Sequence, residues 1–167
     1  MRRKHVDSRP LIGIIGISLL SAGVSTSAHS QDLSRGQTVY VSVYSSIWYG
    51  AAYSGDKPAT MALSGMLSIR NVDPDHDFKL RSIRYYDTDG KLMREENPQL
   101  SLGPLASKSM FIPHSDTGGI GAKFIVVWEA DVPINTPIIE YLNIYKTGTS
   151  LNTFVSHGRP IQTKPSP

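Results

Sequence analysis

Cysteine is absent from this 167-residue sequence. Its absence excludes a disulfide framework and a lipid anchor on an N-terminal cysteine. Long hydrophobic runs are absent too, because the main apolar run, Leu11–Leu20, has ten residues, and a membrane-spanning helix needs about 20. We therefore expect no stable membrane anchor in the mature protein, whose domain depends on its hydrophobic core alone for stability.

Residues 31–167 also have no excess of positive charge. The whole chain carries 17 Lys and Arg against 14 Asp and Glu, a net charge of +3. Residues 1–30 hold four of the basic residues and one of the acidic ones, which leaves 13 of each sign in residues 31–167. Because nucleic-acid binding depends on clustered Lys and Arg, we expect no nucleic-acid partner. The early surplus consists of Arg2, Arg3, Lys4 and Arg9 against Asp7.

The first thirty residues have the parts of a secretory signal peptide. A basic start precedes the apolar run, and the small residues Ala28 and Ser30 stand three and one positions before a cut ahead of Gln31. This order is typical of a signal that is removed after export. We expect a periplasmic or secreted protein with a signal peptide at 1–30, a linker at 31–37, a β-sandwich domain at 38–161 and a disordered tail at 162–167.

Helical periodicity is missing from the rest of the chain, where strand patterns recur. Val39, Val41 and Val43 alternate with other residues, which is typical of a half-buried strand. Asp89-Gly90 supplies the positive φ angles of a tight hairpin turn. About seven to nine short strands separated by turns predict an all-β fold. The architecture we expect is a single antiparallel β-sandwich of the immunoglobulin-like type, with a small barrel less favoured.

Four further stretches predict particular elements. Met61–Arg70 alternates and predicts one unbroken strand, whereas the turn-prone residues within 45–58 predict a loop. Lys123–Glu129 is apolar on both faces, which predicts a central strand covered on both sides. The two prolines of Asp131–Pro137 predict a connection without strand structure.

An acidic turn is the strongest candidate for a metal site. Its carboxylates alternate along the chain, and such a pattern can offer several oxygens to one hard cation such as calcium. The segment does not match the calcium-binding loop of the helix-loop-helix type, because it lacks both the Gly of the sharp turn and the Glu that closes the site. The alternative is a solvated turn whose aspartates cap their own backbone. The metal hypothesis uses Asp73, Asp75, His76 and Asp77, with Asp116 or His114 completing the site.

Catalytic motifs are absent or incomplete. Asp116-Thr117-Gly118 is the triplet of aspartic proteases, but that chemistry needs two such carboxylates and the chain has one triplet. A Gly-x-Ser-x-Gly nucleophile elbow is lacking. The three histidines beyond residue 30, His76, His114 and His157, are far apart in sequence. We therefore expect a protein that is not an enzyme, and we name no catalytic residue.

Aromatic residues are concentrated in one stretch of fourteen residues, at Tyr40, Tyr44, Trp48, Tyr49 and Tyr53. If the loop after the first strand is exposed, Trp48, Tyr49 and Tyr53 can stack on a protein or a cell-envelope polymer. The alternative, which we favour on the sequence, is that this loop folds back over the open end of the sandwich. Both alternatives predict an ordered loop.

Five segments, taken in order, resemble a known family. They are Gly36–Val41, Leu67–Pro74, Tyr85–Leu92, Leu102–Leu105 and Phe124–Trp128. Over about residues 36–161 the chain resembles the domain of unknown function 3124, an uncharacterised bacterial family of exported proteins and lipoproteins. The resemblance implies no activity, cofactor or catalytic residue. The lack of cysteine departs from the lipoprotein type.

The sequence supports two function hypotheses. The first is a non-catalytic exported module that binds a protein or cell-envelope polymer through its loops or an edge strand. The second is a small metal-binding protein or metal-dependent enzyme that uses the Asp73–Asp77 turn. A site shared between this turn and the loop around Asp116 requires both to lie at the same end of the sandwich.

Overall fold

The structure, a computed structural model, describes residues 33–50 and 58–162. The predicted signal peptide at 1–30 and residues 163–167 of the tail predicted at 162–167 lie outside these ranges. The described residues form strands β1 (Ser34–Val43), β2 (Ser46–Tyr49), β3 (Ala59–Ala62), β4 (Ser64–Arg70), β5 (Phe78–Tyr86), β6 (Leu92–Glu96), β7 (Leu100–Leu102), β8 (Ser107–Ile112), β9 (Ala122–Ile134), β10 (Ile138–Thr147), β11 (Ser150–His157) and β12 (Arg159–Ile161).

Two main sheets and one small ribbon contain these strands. The six-stranded sheet has the order β12-β1-β9-β5-β6, with β7 also paired to β5. The four-stranded sheet has the order β11-β10-β4-β8, and β2 pairs with β3 in a separate two-stranded ribbon. All pairs are antiparallel, and buried side chains from both main sheets form one core. The predicted antiparallel β-sandwich is therefore confirmed, while its immunoglobulin-like type stays a prediction.

Alternation along the strands places one face of each main sheet in the core. Val39, Val41 and Val43 of β1 are buried, as their spacing predicts. Trp128 is also buried, and its ring packs edge-on against Phe78 with the ring centroids 5.5 Å apart. Full burial of one large apolar side chain contributes about 1.5–3 kcal/mol. This core stabilises a chain that has no cysteine for a disulfide.

Strand β9 differs from its prediction on one face. Phe124, Val126 and Trp128 are buried, but Ile125 and Val127 on the opposite face are half-buried. β9 lies between β1 and β5, and an antiparallel sheet can leave one face toward solvent. The prediction of a strand covered on both sides is therefore wrong.

Prolines lie in two strand segments that the sequence did not predict. β9 continues to Ile134, through the stretch expected to be a connection. Its pairing with β1 is irregular there, between Ser34 and Gly36, and such irregularities tolerate proline. β12 contains Pro160 and forms an edge of the six-stranded sheet, which is another position where proline is found.

The predicted strand Met61–Arg70 is divided at Leu63. β3 ends before Leu63 and pairs with β2, and β2 lies in the stretch 45–58 that was expected to be a loop. β4 begins after Leu63 and joins the four-stranded sheet. Leu63 is buried, and its N–H donates to Ser45 O at 2.9 Å. The alternation of side chains continues across the division, so periodicity could not locate it.

The sandwich has two ends with different loops. We call the end with the β2–β3 ribbon, the turn at 87–90 and the loop at 113–121 the hairpin end. The opposite end, with the segments 71–77, 103–106 and 135–137, is the Asp73 end. Within the described ranges, no helix is long and apolar enough to cross a membrane.

A turn forms at Asp89-Gly90 as predicted, at the hairpin end, but of these two residues only Gly90 has the predicted positive φ. The turn joins β5 to β6, which pair as an antiparallel hairpin. Gly90 has a φ of 84°, a left-handed conformation that favours glycine. Its N–H donates to Asp87 O at 3.2 Å.

Candidate functional sites at the two ends of the sandwich

The acidic turn and the Asp116 loop lie at opposite ends. The segment 71–77 leads directly into Phe78, where β5 begins, whereas Asp116 bonds to Tyr85 near the end of β5. At about 3.3 Å per residue, Phe78 and Tyr85 are separated by about 23 Å. His114 lies in the same loop as Asp116, just beyond β8. The hypothesis that Asp116 or His114 completes a metal site with the acidic turn is therefore wrong.

Asp73 is a buried carboxylate, and protein donors occupy both of its oxygens. Oδ1 accepts hydrogen bonds from the N–H groups of Asp75 at 3.0 Å and His76 at 2.9 Å, and it lies 3.0 Å from His76 Nδ1. Oδ2 accepts from the backbone N–H and the side-chain amide of Asn135, at 3.0 and 3.1 Å. The carboxylate therefore caps its own turn and ties that turn to the segment after β9.

These donors favour the charged form of Asp73. The hydrogen bond from the Asn135 backbone has the largest effect, and with the Asp75 and His76 donors it holds the pKa of Asp73 far below its ordinary value. Burial acts in the opposite direction and is outweighed. The negative charge is thus balanced by N–H donors of the protein itself.

Asn71 completes the same network from two residues earlier. Its Oδ1 accepts from the N–H of Asp73 at 2.9 Å. Its Nδ2 donates to the carbonyl oxygens of His76, Leu102 and Gly103 at 2.8, 3.0 and 2.9 Å. We call Asn71, Asp73 and Asn135, with the groups bonded to them, the Asp73 network. It joins three segments that are remote in sequence.

The predicted metal ligands do not converge at this turn. Asp75, His76 and Asp77 are exposed, and Asp77 accepts a hydrogen bond from Ser101. A calcium ion takes six to eight oxygen ligands at about 2.3–2.6 Å, whereas the oxygens of Asp73 face N–H donors. Across residues 33–50 and 58–162, no group of three or more His, Cys, Asp or Glu side chains is placed to hold a metal ion. The geometry gives the calcium hypothesis no ligand set.

A small groove opens beside the Asp73 end. Its volume is about 230 Å³, below the roughly 300–1,000 Å³ typical of small-molecule sites. His157 is the titratable residue in its lining, and His157 Nδ1 lies 3.6 Å from Glu140 Oε2. The lining residues include Gln37, Val39, Ile138, His157, Gly158 and Pro160.

At the hairpin end, the β2–β3 ribbon exposes two aromatic rings. Trp48 pairs with Thr60 and Tyr49 with Ala59 across the ribbon. Trp48 is 63% exposed and Tyr49 is 50% exposed. The alternative favoured on the sequence, in which the loop covers the open end of the sandwich, is therefore wrong for these two rings. Tyr53, the third predicted contact, lies outside the described residues.

Hydrogen bonds fix the base of the ribbon to the sandwich. The backbone N–H and the Oγ of Ser45 both donate to Gly119 O, at 3.2 and 3.0 Å. Ser45 O in turn accepts from the N–H of Leu63, and both residues are buried. The ribbon is thus held at its base, while Trp48 and Tyr49 lie in solvent.

A buried tyrosine fastens the neighbouring loop at 113–121. Tyr85 donates its O–H to Asp116 Oδ2, and the N–H of Gly118 donates to the same oxygen at 3.0 Å. Thr88 adds a hydrogen bond from its N–H to Gly118 O at 2.8 Å. Burial, followed by the hydrogen bond to Asp116, raises the pKa of Tyr85 well above its ordinary value. The phenol therefore stays protonated and holds the loop as a donor.

Tyr141 lies in the same part of the core but makes no such bond. Its ring centroid is 6.1 Å from that of Phe124, and Gly65 leaves room for it, because a Cβ at residue 65 would overlap the ring. Among the described residues, its buried hydroxyl has no hydrogen-bond partner. Burial raises its pKa above the ordinary value. A protonated, buried phenol of this kind cannot serve as a general base.

Comparison with known families agrees with the resemblance seen in the sequence. A family model described as "Protein of unknown function (DUF3124)" matches residues 36–161. The chain belongs to this family. The DUF3124 region includes both ends of the sandwich. A comparison with curated proteins finds no match.

One solved structure is similar to this DUF3124 chain. It is described as "Crystal Structure of Thermotoga maritima 1070" and shares 13% sequence identity. The similarity covers 75% of this chain and 92% of that one, with a TM-score of 0.41.

The sequence did not predict the hydrogen-bond partners of the two aspartates, Asp73 and Asp116, that it singles out. Asp73 and Asp116 were singled out as metal ligands, but the structure bonds them to Asn135 and Tyr85, which are 62 and 31 residues away. Asn135 lies in no motif, and Tyr85 begins the family segment Tyr85–Leu92, which does not point to Asp116 as its partner. A sequence signal for them is therefore lacking, since only the fold brings these residues together.

Proposed function

We propose that this DUF3124 protein is an exported, non-catalytic β-sandwich that binds a protein or a cell-envelope polymer through its hairpin end. The exposure of Trp48 and Tyr49, on a ribbon outside both main sheets, carries the proposal. The signal peptide predicted at 1–30 supports delivery to the periplasm or the exterior.

The aromatic ribbon has the properties of a binding element. Tryptophan and tyrosine are enriched among the residues that dominate binding energy at interfaces. Their rings offer a large contact area with few rotatable bonds, so little conformational freedom is lost on binding. The base at Ser45 and Leu63 is already fixed by hydrogen bonds, which lowers the entropic cost further.

The charge balance of the chain and the chemistry of the hairpin end support binding of a partner that carries no strong charge. Residues 31–167 have equal numbers of acidic and basic side chains, which gives no overall attraction for a polyanion. At the hairpin end, Tyr85 and Asp116 hold the loop at 113–121 through hydrogen bonds. Binding through ring faces needs neither charge nor a nucleophile.

The double substitution Trp48→Ala/Tyr49→Ala tests the proposal. Purified protein is mixed with soluble envelope proteins or with insoluble cell-wall polymer, and the bound fraction is measured. We expect the double variant to bind more than about 30-fold more weakly, because truncating an interface hot spot costs about 2 kcal/mol or more. Its melting temperature should change little, because exposed side chains away from special features contribute little to stability.

Phe111→Ala provides the matched control. Phe111 is 60% exposed but lies on the outer face of the four-stranded sheet, so this variant should bind as the unmodified protein does. A second readout comes from fluorescence, because Trp128 is buried and quenching by acrylamide therefore reports on Trp48. A partner should protect Trp48 from quenching. Unchanged binding of the double variant, or a large fall in its melting temperature, would contradict the proposal.

A further inference from the structure

The free edges of the two main sheets differ in how they are protected. Edge strands tend to pair with strands of other molecules, and charged residues, prolines or short length normally prevent this. β6 contains Arg94, Glu95 and Glu96, β8 contains Lys108, β12 contains Pro160, and β7 has three residues. Among the described edge strands of these sheets, β11 alone has none of these protections.

Strand β11 is long and exposed. Its eight residues, SLNTFVSH, include no Asp, Glu, Lys, Arg or Pro, and seven of the eight are exposed. Leu151 is 67% exposed and Val155 is 44% exposed. Within the four-stranded sheet its one neighbour is β10. A segment of this composition, with one edge unpaired, favours the addition of another strand.

The side chains of β11 divide between the two faces of the sheet. Phe154 lies opposite Asn143 of β10, which is buried, and its ring contacts that of Tyr44, the residue after β1, with ring centroids 5.7 Å apart, so Phe154 is on the side of the other main sheet. Leu151, Thr153 and Val155, which alternate with it, lie on the outer face. This outer face of β11 therefore has two apolar residues placed symmetrically around a threonine.

An apolar row reaches the β11 edge from across the sheet. Val155 lies opposite Leu142 of β10, Leu142 opposite Met66 of β4, and Met66 opposite Phe111 of β8. The row crosses all four strands and ends at the free edge. A strand added there with an apolar residue opposite Val155 would extend the row.

We propose that a second copy of this chain adds its own β11 to this edge, antiparallel, about a two-fold axis at Thr153. With the axis there, Leu151 of each copy lies opposite Val155 of the other, and Ser150 lies opposite Ser156. Directly opposed apolar or hydroxyl pairs stabilise antiparallel strands. A two-fold interface must be self-complementary, and this register sets no two residues of like charge directly opposite each other.

Neighbouring registers lose this match. An axis at Asn152 sets Leu151 opposite Thr153, and an axis at Phe154 sets Leu151 opposite His157. Both place an apolar side chain against a polar one on the outer face. The self-complementarity of the outer face therefore favours a second copy as the partner, in the register centred on Thr153, which sets Asn152 opposite Phe154 on the inner face, and the resulting sheet would have eight strands. The interface uses none of the residues of the hairpin end.

Sedimentation equilibrium of the purified protein over a range of concentrations tests the proposal. We expect a reversible dimer. Thr153→Lys places two ammonium groups opposite each other at the axis and should raise the dissociation constant of the dimer more than about tenfold. Ser109→Lys, an exposed position on the protected edge strand β8, should leave that constant unchanged. Trp48→Ala should leave it unchanged as well.

Cross-linking provides a second measurement. The chain has no cysteine, so Thr153→Cys introduces a single thiol. Opposed residues of antiparallel strands have Cα atoms about 4.5–5.5 Å apart, which a disulfide can span. Mild oxidation should convert this variant to a covalent dimer, whereas Ser109→Cys should stay monomeric at the same concentration.

Three results would overturn the inference. The first is a protein that stays monomeric at every concentration while Thr153→Cys cross-links no faster than Ser109→Cys. The second is a dimer that Thr153→Lys does not weaken, because another surface would then hold it. The third is a dimer lost on Trp48→Ala, which would place the contact at the hairpin end. Melting temperatures of both position-153 variants check that the fold is retained.

Discussion

The two ends of the sandwich differ in whether their polar and aromatic groups are already in contact with the protein. At the Asp73 end, the side-chain oxygens and nitrogens of Asn71 and Asp73 all have partners within the protein. At the hairpin end, Trp48 and Tyr49 have half or more of their surface in water. Both groups stand out in the sequence, and the acidic turn has the stronger resemblance to a known type of site. Their environments assign them opposite roles.

The contrast shows what separates a structural polar cluster from a binding surface. Buried polar groups must be hydrogen-bonded, and in the Asp73 network both carboxylate oxygens of Asp73 are bonded to donors of the protein. Exposed aromatic rings have no such requirement, so they stay free for another molecule. Saturation of the donors and acceptors, more than residue type, decides which end is available.

The largest expected effect is the loss of the Asp73 network in Asn71→Ala. This change leaves a buried N–H and three carbonyl oxygens without their partner. Each unsatisfied buried group costs about 1–3 kcal/mol, and water can reach some of them, so we expect the free energy of unfolding to fall by about 3 kcal/mol. Urea denaturation measures it, with the exposed Asn97→Ala as control. A loss as small as that of the control would remove the contrast between the two ends.

The next effect is a dependence of stability on pH that comes from Asp73. Its folded pKa lies below the unfolded value of about 3.9. Its contribution to stability is therefore complete above the unfolded pKa and is lost as the pH falls toward the folded one. Urea midpoints measured from about pH 6 to pH 2 should fall more steeply for the unmodified protein than for Asp73→Asn. Parallel curves would show that this carboxylate is not held charged by its donors.

The smallest expected effect on the free energy of unfolding comes from removing the hydroxyl of one of two buried tyrosines near the hairpin end. Tyr85→Phe removes the donor to Asp116 and should lower the free energy of unfolding by about 1–2 kcal/mol. Tyr141→Phe removes a hydroxyl that has no partner among the described residues, so it should be neutral or slightly stabilising. Hydrogen exchange of the 113–121 amides should speed up in the first variant only. Equal effects of the two substitutions would refute the tethering role of Tyr85.

Much of the fold was predictable because its signals are local. Val39, Val41 and Val43 share a face through simple alternation, and Asp89-Gly90 forms its turn through the backbone freedom of glycine. The failures also have physical causes. Leu63 divides two strands without interrupting their alternation, and Pro133 lies within β9 where the pairing with β1 is irregular.

The sites were predictable only as residues of interest. The sequence singles out Asp73, Asp116, Trp48 and Tyr49, but the chemistry of each depends on what the fold places beside it. Asp73 meets the N–H groups of Asn135 and Asp116 meets the hydroxyl of Tyr85. Trp48 and Tyr49 are exposed to solvent, because among the described residues β2 and β3 pair with each other and with neither main sheet.

Sequence alone determined the all-β class, the alternation that forms the core and the family to which the chain belongs, since these depend on residue types and spacings along the chain. Tertiary structure alone decided that the carboxylate of Asp73 is saturated, that Trp48 and Tyr49 are exposed and that β11 is a free edge of the four-stranded sheet. These properties depend on contacts between residues far apart in sequence, and local patterns do not encode which distant groups will meet.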